Sequence, residues 1–400
     1  MRILYVATRY DYGKPEQGLS FEHCNFYDCL LHLGNEILYF DFMALMRKLG
    51  RDRMNQRLLE VVRAEKPDLL LTMLYEEELD RAVMRRISDS GDTVTLNWFC
   101  DDHWRFDNFS RFWAPCLNWV VTTARSALPK YERMGYRNVI KSQWACNHYS
   151  YRKLGLELAH DVTFVGQPHG NRRQIIRALR EAGLEVRTWG NGWEQGRCAQ
   201  EDMIRIFNQS RINLNLSNSA PGVSTPWQRA RGRLRAAASR ALDLTPLGGP
   251  LRTLVRRRRA ARQLPASAAP GTAGPPTAPP LDLAALEDLG ADAFSQQIKG
   301  RNFEVPGCGG FMLTGLAEDL EAYYLPGREL VTFARLSEMI ERIRYFLEHE
   351  SERAAIAEAG YQRTLREHTY ARRFADVFAR MGLPAMPGPG ATGATEEISA

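Results

Sequence analysis

Basic, acidic and amide side chains are concentrated in one short segment, IKGRNFEVPGCGGFMLT, at residues 298–314. Lys299, Arg301 and Asn302 stand at the start of an expected short helix, and Glu304 follows one turn later. A helix N-terminus offers free backbone N–H groups and partial positive charge, and the two cations would add full charges for phosphate oxygens. The pattern is typical of a diphosphate site, with Glu304 placed to accept hydrogen bonds from ribose hydroxyls.

Glycines follow this expected helix. Gly307, Gly309 and Gly310 would permit a tight turn and the close approach of a ligand before the strand FMLT. Glycine-rich turns also occur for other reasons, so the spacing alone leaves a solvated helix start with an ordinary turn equally open.

A second phosphate-binding candidate is FVGQPHGNR, at residues 164–172. A strand leads into a loop with Gly166 and then into a helix that begins near Arg172, which is the arrangement of a phosphate cradle. Its GxxxG spacing departs from the dinucleotide fingerprint. Trp189 and Trp193 could stack on a base, but core aromatic residues near a turn are the preferred interpretation.

Acidic residues and a histidine follow the apolar run TVTLNWF. Asp101, Asp102 and His103 are expected at a strand end, where a carboxylate or imidazole could accept a proton from a substrate. Adjacent residues of an extended chain point opposite ways, so the two aspartates are not expected to share one role. Asp101 capping a turn and His103 packing beside Trp104 is an equally weighted interpretation. Two adjacent acids do not make a cation site, and no metal is expected.

The N-terminal helix carries another histidine. Ser20 is the expected N-cap of a helix over Phe21–Leu33. His23 lies among aromatic residues within it and is expected to be a core histidine rather than a base.

The elements that would position these residues alternate along the chain. Short apolar runs without clean alternation, such as DLLLTM, are each followed by an amphipathic stretch, as in parallel sheets covered on both faces. The alternation occurs twice, which predicts an α/β protein with two facing Rossmann-like domains, at residues 1–155 and 156–383. Residues 220–281, rich in Arg, Pro and Ala, are expected to be a disordered insertion, and residues 384–400 a disordered tail.

Composition limits the function classes. The net charge of +6 comes from the insertion, which holds eleven arginines and one aspartate, so no specific nucleic-acid partner is expected. The insertion could make a weak contact with an anionic surface, although a solvated linker is preferred. The seven scattered cysteines lack a CxxC pair, and neither a signal peptide nor a membrane span is recognised, which predicts a cytoplasmic protein.

The segment at 298–314, together with EHTYARR at 367–373, resembles the CgeB-like (spore-maturation) glycosyltransferases, which are GT-B group-1 glycosyltransferases. The likeness extends to WFCDDHWRFDNF at 98–109, DVTFVGQPHGNR at 161–172 and NQSRINLNLSNS at 208–219. It lapses over the insertion.

This resemblance implies a GT-B, hexosyltransferase-like enzyme whose C-terminal domain binds a nucleotide-diphosphate sugar and whose N-terminal domain binds an unidentified acceptor. It implies neither a bound metal nor a permanently bound cofactor. Group-1 enzymes carry two glutamates eight positions apart; Glu304 matches the second, but Gln296 occupies the first. The departure keeps open an alternative, a catalytically inactive GT-B protein that binds nucleotide sugars.

Overall fold

The computed structural model describes residues 1–216, 286–287, 297–386, 388 and 393–400. Two parallel sheets organise this part of the chain. The first comprises β1 (Arg2–Val6), β2 (Glu36–Phe40), β3 (Leu69–Thr72), β4 (Val94–Phe99), β5 (Trp119–Thr122), β6 (Val139–Lys141) and β12 (Ala394–Glu397). The second comprises β7 (His160–Val165), β8 (Val186–Trp189), β9 (Ser210–Asn215), β10 (Met312–Gly315) and β11 (Val331–Phe333).

Helices connect these strands. Those of the N-terminal half are α1 (Asp28–His32), α2 (Phe42–Leu49), α3 (Arg51–Glu65), α4 (Arg81–Ser90), α5 (Asp102–Arg105), α6 (Ser110–Trp113) and α7 (Leu128–Arg133). Those of the C-terminal half are α8 (Arg172–Glu181), α9 (Gln200–Gln209), α10 (Arg301–Gly307), α11 (Leu336–Glu348), α12 (Glu350–Glu367) and α13 (Tyr370–Arg380).

Both sheets have helices on both faces, and the burial of the strands reflects this. Every residue of β3 is buried, and β1 is buried except for its first residue. A strand covered on both faces has no solvent side, so its sequence needs no polar alternation. The predicted architecture of two parallel-sheet α/β domains is confirmed.

The order of the strands indicates the edge of each sheet at which a ligand would bind. The first sheet runs β12-β2-β1-β3-β4-β5-β6 and the second β11-β10-β9-β7-β8, so chain order reverses beside β1 and beside β7. Ligands of open parallel sheets bind beyond the carboxyl ends of the strands at such a reversal. The loops after β4, β7 and β10 lie at these ends and carry the residues considered below.

The helix that follows β1 in the N-terminal domain has a π-helical turn at His23–Tyr27 before α1. The Ser20 hydroxyl accepts a hydrogen bond from the backbone N–H of His23 (3.0 Å) and donates one to the Thr8 carbonyl (2.7 Å). Ser20 therefore caps the helix as predicted, and also ties its start to the end of β1.

The last helix, α13, packs its apolar side chains into the N-terminal core, while Arg373 also lies over the Phe303 ring of the C-terminal domain at 5.9 Å. Tyr370 and Phe374 pack on Phe26, with ring centroids 4.7 and 5.6 Å apart. The backbone N–H of Tyr370 also donates a hydrogen bond to the Cys146 carbonyl (3.0 Å). The predicted domain at 156–383 includes this helix by its place in the chain, because a local amphipathic pattern does not specify which core a helix covers.

The chain ends in a strand where a disordered tail was expected. β12 pairs in parallel with β2, with Ala394 opposite Glu36. The Thr395 hydroxyl contacts that of Tyr27 at 2.9 Å, and Glu397 pairs with Arg9. The segment is rich in glycine and alanine, so its composition does not indicate a strand. Its pairing partner, β2, is also distant in sequence.

Two sequence-based predictions fall outside the described residues: the insertion at 220–281 and Gln296. Within the described part, no helix combines the length and apolar character that a bilayer crossing requires.

Candidate active site

Two arginines hold the loop that follows β7. Arg172, the first residue of α8, donates from Nη1 to the Gln167 carbonyl (2.9 Å), and Arg301, the first residue of α10, donates from Nε to the Val165 carbonyl (3.3 Å). Both guanidinium groups therefore lie at the carboxyl end of one central strand. The predicted phosphate-binding residues of two separate motifs, 164–172 and 298–314, meet at this position.

Arg172 has no acidic partner among the described residues. Its guanidinium lies over the Phe164 ring at 5.5 Å, and its Nε is buried without a hydrogen-bond partner. Burial, with a further contribution from the positive charge of Arg301, lowers the pKa of Arg172 to about 10. A desolvated cation that lacks a counter-ion is costly, and an anionic ligand would supply one.

Lys299 brings a third cation to the same edge and links the domains. Its Nζ lies 3.8 Å from Asp101 Oδ1, and the Gln297 side-chain amide donates to the same oxygen at 3.3 Å. Burial lowers the pKa of Lys299, and the carboxylate of Asp101 partly opposes this shift. The predicted residues Lys299 and Asp101, from opposite domains, are therefore neighbours.

Asn302 holds the start of α10, and with it Lys299, in place. It is fully buried (0% exposed), and its Oδ1 accepts from the Lys299 backbone N–H (2.9 Å) and from the Asn215 amide (3.0 Å). The Asn215 amide also donates to the Thr314 hydroxyl at 3.0 Å. Asn302 thus ties the start of α10 to the carboxyl ends of β9 and β10. Its position suits orienting Lys299 better than touching a ligand.

Glu304 is also fully buried (0% exposed) and forms an ion pair with Arg301. Burial lowers the pKa of Arg301, but Glu304 opposes this effect and the net shift is upward. The second oxygen of Glu304, Oε1, is buried and has no hydrogen-bond partner among the described residues. In this arrangement Glu304 fixes the guanidinium of Arg301.

Gly309 and Gly310 lie away from the binding edge, contrary to the expectation that a ligand approaches them. They precede β10 and so lie at its amino end. Gly309 has φ +71°, and a Cβ there would overlap the side chain of Lys153; a Cβ on Gly310 would lie 2.8 Å from the Asn213 amide nitrogen. Their small size permits packing against the interdomain linker and β9.

Gly166, in contrast, lies at the binding edge. Its backbone N–H donates to the Trp189 carbonyl (2.9 Å), and its carbonyl accepts from Trp193 Nε1 (2.7 Å). A Cβ at Gly190, where φ is +137°, would overlap the Gly166 carbonyl. The two loops therefore approach through glycine backbones, and Trp193 is a buried residue of this contact rather than a base-stacking surface.

Asp102 points into the N-terminal core. Asp102 is 1% exposed, and its Oδ2 accepts a hydrogen bond from the Tyr131 hydroxyl at 2.8 Å. Burial raises the pKa of Asp102 to about 6. The predicted proton-accepting role does not fit this orientation, because the first turn of α5 directs Asp101 and Asp102 to opposite sides.

His103 does reach the domain boundary. Its Nε2 lies 3.2 Å from Oε2 of Glu318, in the loop after β10. Sequence reasoning missed Glu318, although an acid just beyond a strand end was the signal that singled out Asp101. His23, in turn, contacts the Tyr39 hydroxyl through Nδ1 (3.2 Å), and burial lowers its pKa to about 4. His23 is partly buried and packs against the rings of Tyr27 and Tyr39.

Comparisons with known proteins address the family and the fold separately. A family model described as "Glycosyl transferase-like" matches residues 171–245 and 283–379, which include Arg172 and the segment 298–314. The chain has the GT-B fold, and the matched part of its C-terminal half is glycosyl transferase-like. A search of curated proteins found no match.

Three solved structures show the GT-B likeness, which at their low identities concerns the fold alone. Anabaena HepE in complex with UDP-glucose has a TM-score of 0.56 at 10% identity, over 96% of this chain and 99% of that one. Sucrose-phosphate synthase from Thermosynechococcus elongatus has 0.55 at 7% identity, over 95% and 97%. A glycosyltransferase from Rickettsia africae has 0.50 at 7% identity, over 95% and 96%. The CgeB-like subfamily and the cytoplasmic location stay predictions.

The protein has a pocket of about 270 Å³ between its domains, beside the cationic edge. Arg301 and Gly166 line it from one domain, and Ser20 and Asn25 from the other. Asn25 is buried, and its Oδ1 has no hydrogen-bond partner. Sequence reasoning did not single out Asn25, because its place in the pocket depends on how the two domains meet.

Proposed function

We propose that the enzyme transfers a sugar from a nucleotide-diphosphate sugar to an acceptor hydroxyl without the help of a metal ion. The observation that carries the proposal is the buried guanidinium of Arg172, which has no carboxylate partner among the described residues and stands beside Arg301. A diphosphate supplies the negative charge that this position lacks.

The three cations have complementary roles in the proposal. Arg172 and Arg301 already donate to backbone carbonyls of one loop, which fixes their orientation before a ligand binds. Lys299 is held through its backbone by Asn302 and can add a third positive charge. Pre-oriented cations stabilise the charge that develops on the leaving diphosphate as the glycosidic bond breaks.

The neighbouring fold supplies the first donor to try. Anabaena HepE was solved with UDP-glucose, and the present chain covers nearly all of that protein's length. UDP-glucose is therefore the probe in the experiments below, and GDP-, ADP- and dTDP-sugars form the comparison set.

In this proposal a side chain of the N-terminal domain accepts the proton of the acceptor hydroxyl. Asp101 and His103 both lie at the domain boundary, next to Lys299 and Glu318 respectively. Burial lowers the pKa of His103, so the imidazole is neutral and able to accept a proton near neutral pH. Asp102 has no part in the proposed chemistry because its carboxyl group faces Tyr131.

The test is binding and hydrolysis of UDP-glucose by the wild type, Arg172→Gln and Arg177→Gln. Arg177 lies on the exposed face of the same helix and pairs with Glu181, so its substitution is the matched control. Loss of one charge-assisted contact should weaken UDP-glucose binding about 10- to 100-fold in Arg172→Gln, with no comparable loss in Arg177→Gln.

Two outcomes would contradict the proposal. Equal affinities in the two variants would remove the phosphate-binding role of Arg172. Tight donor binding without turnover for every acceptor and for water would instead favour the alternative function, a GT-B protein that binds nucleotide sugars but does not transfer them.

A further inference from the structure

The loop that follows β10 crosses from the donor domain to the acceptor domain. Its carboxylates, Glu318 and Asp319, both contact N-terminal residues. Asp319 has φ +65°, a left-handed conformation that is uncommon for a residue other than glycine. Arg125 Nε lies 2.6 Å from its Oδ1, and Lys141 Nζ lies 3.7 Å from its Oδ2. Two cations of the opposite domain thus stabilise the conformation that presents the preceding residue.

Glu318 is held from two sides. Its Oε1 accepts from the Ser126 backbone N–H (3.1 Å) and its Oε2 accepts from the Ser126 hydroxyl (3.3 Å). The same Oε2 lies 3.2 Å from His103 Nε2. All these contacts cross the domain boundary, so the carboxylate reaches the imidazole only when the domains are closed.

The other ring nitrogen of His103 is left without a partner. Nδ1 is buried and makes no hydrogen bond to any described residue. An unsatisfied buried polar atom costs free energy, which a ligand hydroxyl would recover. With the ring proton on Nε2, facing Glu318, Nδ1 carries the lone pair that a base needs.

The charged surroundings of His103 come from several elements. Glu318 and Asp101 favour its protonated form, whereas Lys299 and Lys141 disfavour it. Burial has the largest effect and lowers the pKa of the imidazole. The ring is therefore neutral before reaction, and a carboxylate stands ready to stabilise it once it becomes charged.

We propose that Glu318 is a positioning residue for His103, so that closure of the donor domain completes the base of the acceptor domain. This inference rests on the proposed function. The acceptor hydroxyl oxygen bonds to the anomeric carbon of the sugar, whose bond to the diphosphate oxygen breaks, and the bonding pair leaves with the nucleotide diphosphate. The hydroxyl proton passes to Nδ1 of His103. Glu318, through Nε2–H, fixes the tautomer and stabilises the imidazolium.

The experiment combines a measurement that needs no turnover with one that does. Full-length wild type, Glu318→Gln, Glu318→Asp and Glu321→Gln are labelled with ¹⁵N-histidine, and the His103 tautomer and pKa are followed by NMR titration. Glu321 is an exposed acid in the turn that follows the same loop and serves as the matched control. The rate of UDP-glucose hydrolysis is then measured from pH 5 to 9.

The wild type and Glu321→Gln should show the Nε2–H tautomer. In Glu318→Gln the pKa of His103 should fall, because a negative charge that favours imidazolium is removed, and the acid limb of the rate profile should move to lower pH by the same amount. Its kcat should fall about tenfold or more because the tautomer is no longer fixed, while the affinity for UDP-glucose stays within about twofold. Glu318→Asp, which keeps the charge, should retain the position of the acid limb.

An Nδ1–H tautomer in the wild type, or an unchanged His103 pKa in Glu318→Gln, would overturn the inference whether or not the enzyme turns over. An unchanged kcat in Glu318→Gln would overturn it as well. If the NMR results are as expected and the wild type nevertheless fails to hydrolyse UDP-glucose or to use any donor and acceptor tried, the proposed function has failed and the base has no reaction to serve.

Discussion

Asp101 and Lys299 face each other across the domain boundary, with Asp101 Oδ1 3.8 Å from Lys299 Nζ. Asp101 follows β4 of the N-terminal domain, and Lys299 precedes α10 of the C-terminal domain. The carboxylate favours the charged form of the lysine, because it opposes the lowering of the lysine pKa by burial. The N-terminal domain thus influences the charge of a lysine that belongs to the C-terminal one.

This relationship predicts a pH-dependent defect in Asp101→Asn. Loss of the carboxylate lowers the pKa of Lys299 further, so the ammonium loses its proton at a lower pH than in the wild type. Affinity for UDP-glucose, measured by calorimetry between pH 7 and 10, should therefore decline with a midpoint at lower pH in the variant. Superimposable pH curves for the two proteins would exclude Lys299 as a donor contact controlled by Asp101.

A second prediction concerns the buried ion pair of α10. Glu304→Gln removes the fully buried counter-ion of Arg301, whose own side chain is 27% exposed, and losing this charge-assisted contact should cost about 1.5–3 kcal/mol of unfolding free energy. The control is Glu181→Gln, which breaks the solvent-exposed pair with Arg177 and should cost about 0.5 kcal/mol or less. Urea unfolding of both variants gives the comparison. Similar losses in the two would mean that Glu304 has no special role in fixing Arg301.

The features that could be predicted from the sequence are mainly those that depend on residues close together in the chain. The non-alternating run of β3 follows from local composition, as does the cap that Ser20 provides, and both are found in the structure. The clustering of Arg172 with Arg301 also follows, since parallel strands bring their carboxyl ends to one edge.

The features that the sequence left open concern direction and burial. Glu304, predicted to bind a ribose, is spaced three residues from Arg301, which suits the ion pair that the two form on one helical face. Gly309 and Gly310 precede their strand, and chain direction alone places them at the amino end, away from ligands. Only the assembled domains show that α13 returns to the first core and that Glu318 reaches His103.

The raised pKa of Asp102 predicts how stability changes with pH. The folded-state pKa of about 6 exceeds the ordinary aspartate value of 3.8, so the unfolded chain releases this proton first and stability falls as pH rises from about 4 to 6. This difference in pKa corresponds to about 3 kcal/mol of unfolding free energy. Asp102→Asn can still accept the Tyr131 hydrogen bond but cannot ionise, so it should lose this contribution to the slope in urea unfolding between pH 4 and 7.

The same variant separates a structural Asp102 from a catalytic one. Because the carboxyl group faces Tyr131 and not the domain boundary, UDP-glucose hydrolysis by Asp102→Asn at pH 7.5 should stay within about threefold of the wild-type rate. A large loss of kcat in a variant that folds and binds UDP-glucose normally would restore the role predicted from its place after β4.

Metal independence gives the final prediction. In the described part of the chain, no group of three or more His, Cys, Asp or Glu side chains is arranged to hold a metal ion, and the proposed leaving-group stabilisation comes from Arg172, Lys299 and Arg301. Dialysis against EDTA should therefore leave the rate of UDP-glucose hydrolysis within about twofold of its starting value. Arg301→Gln, measured in parallel, should lose activity that added Mg²⁺ or Mn²⁺ does not restore. A loss on EDTA treatment that Mn²⁺ reverses would instead assign the charge of the leaving diphosphate to a metal ion, and the three cations would then serve binding alone.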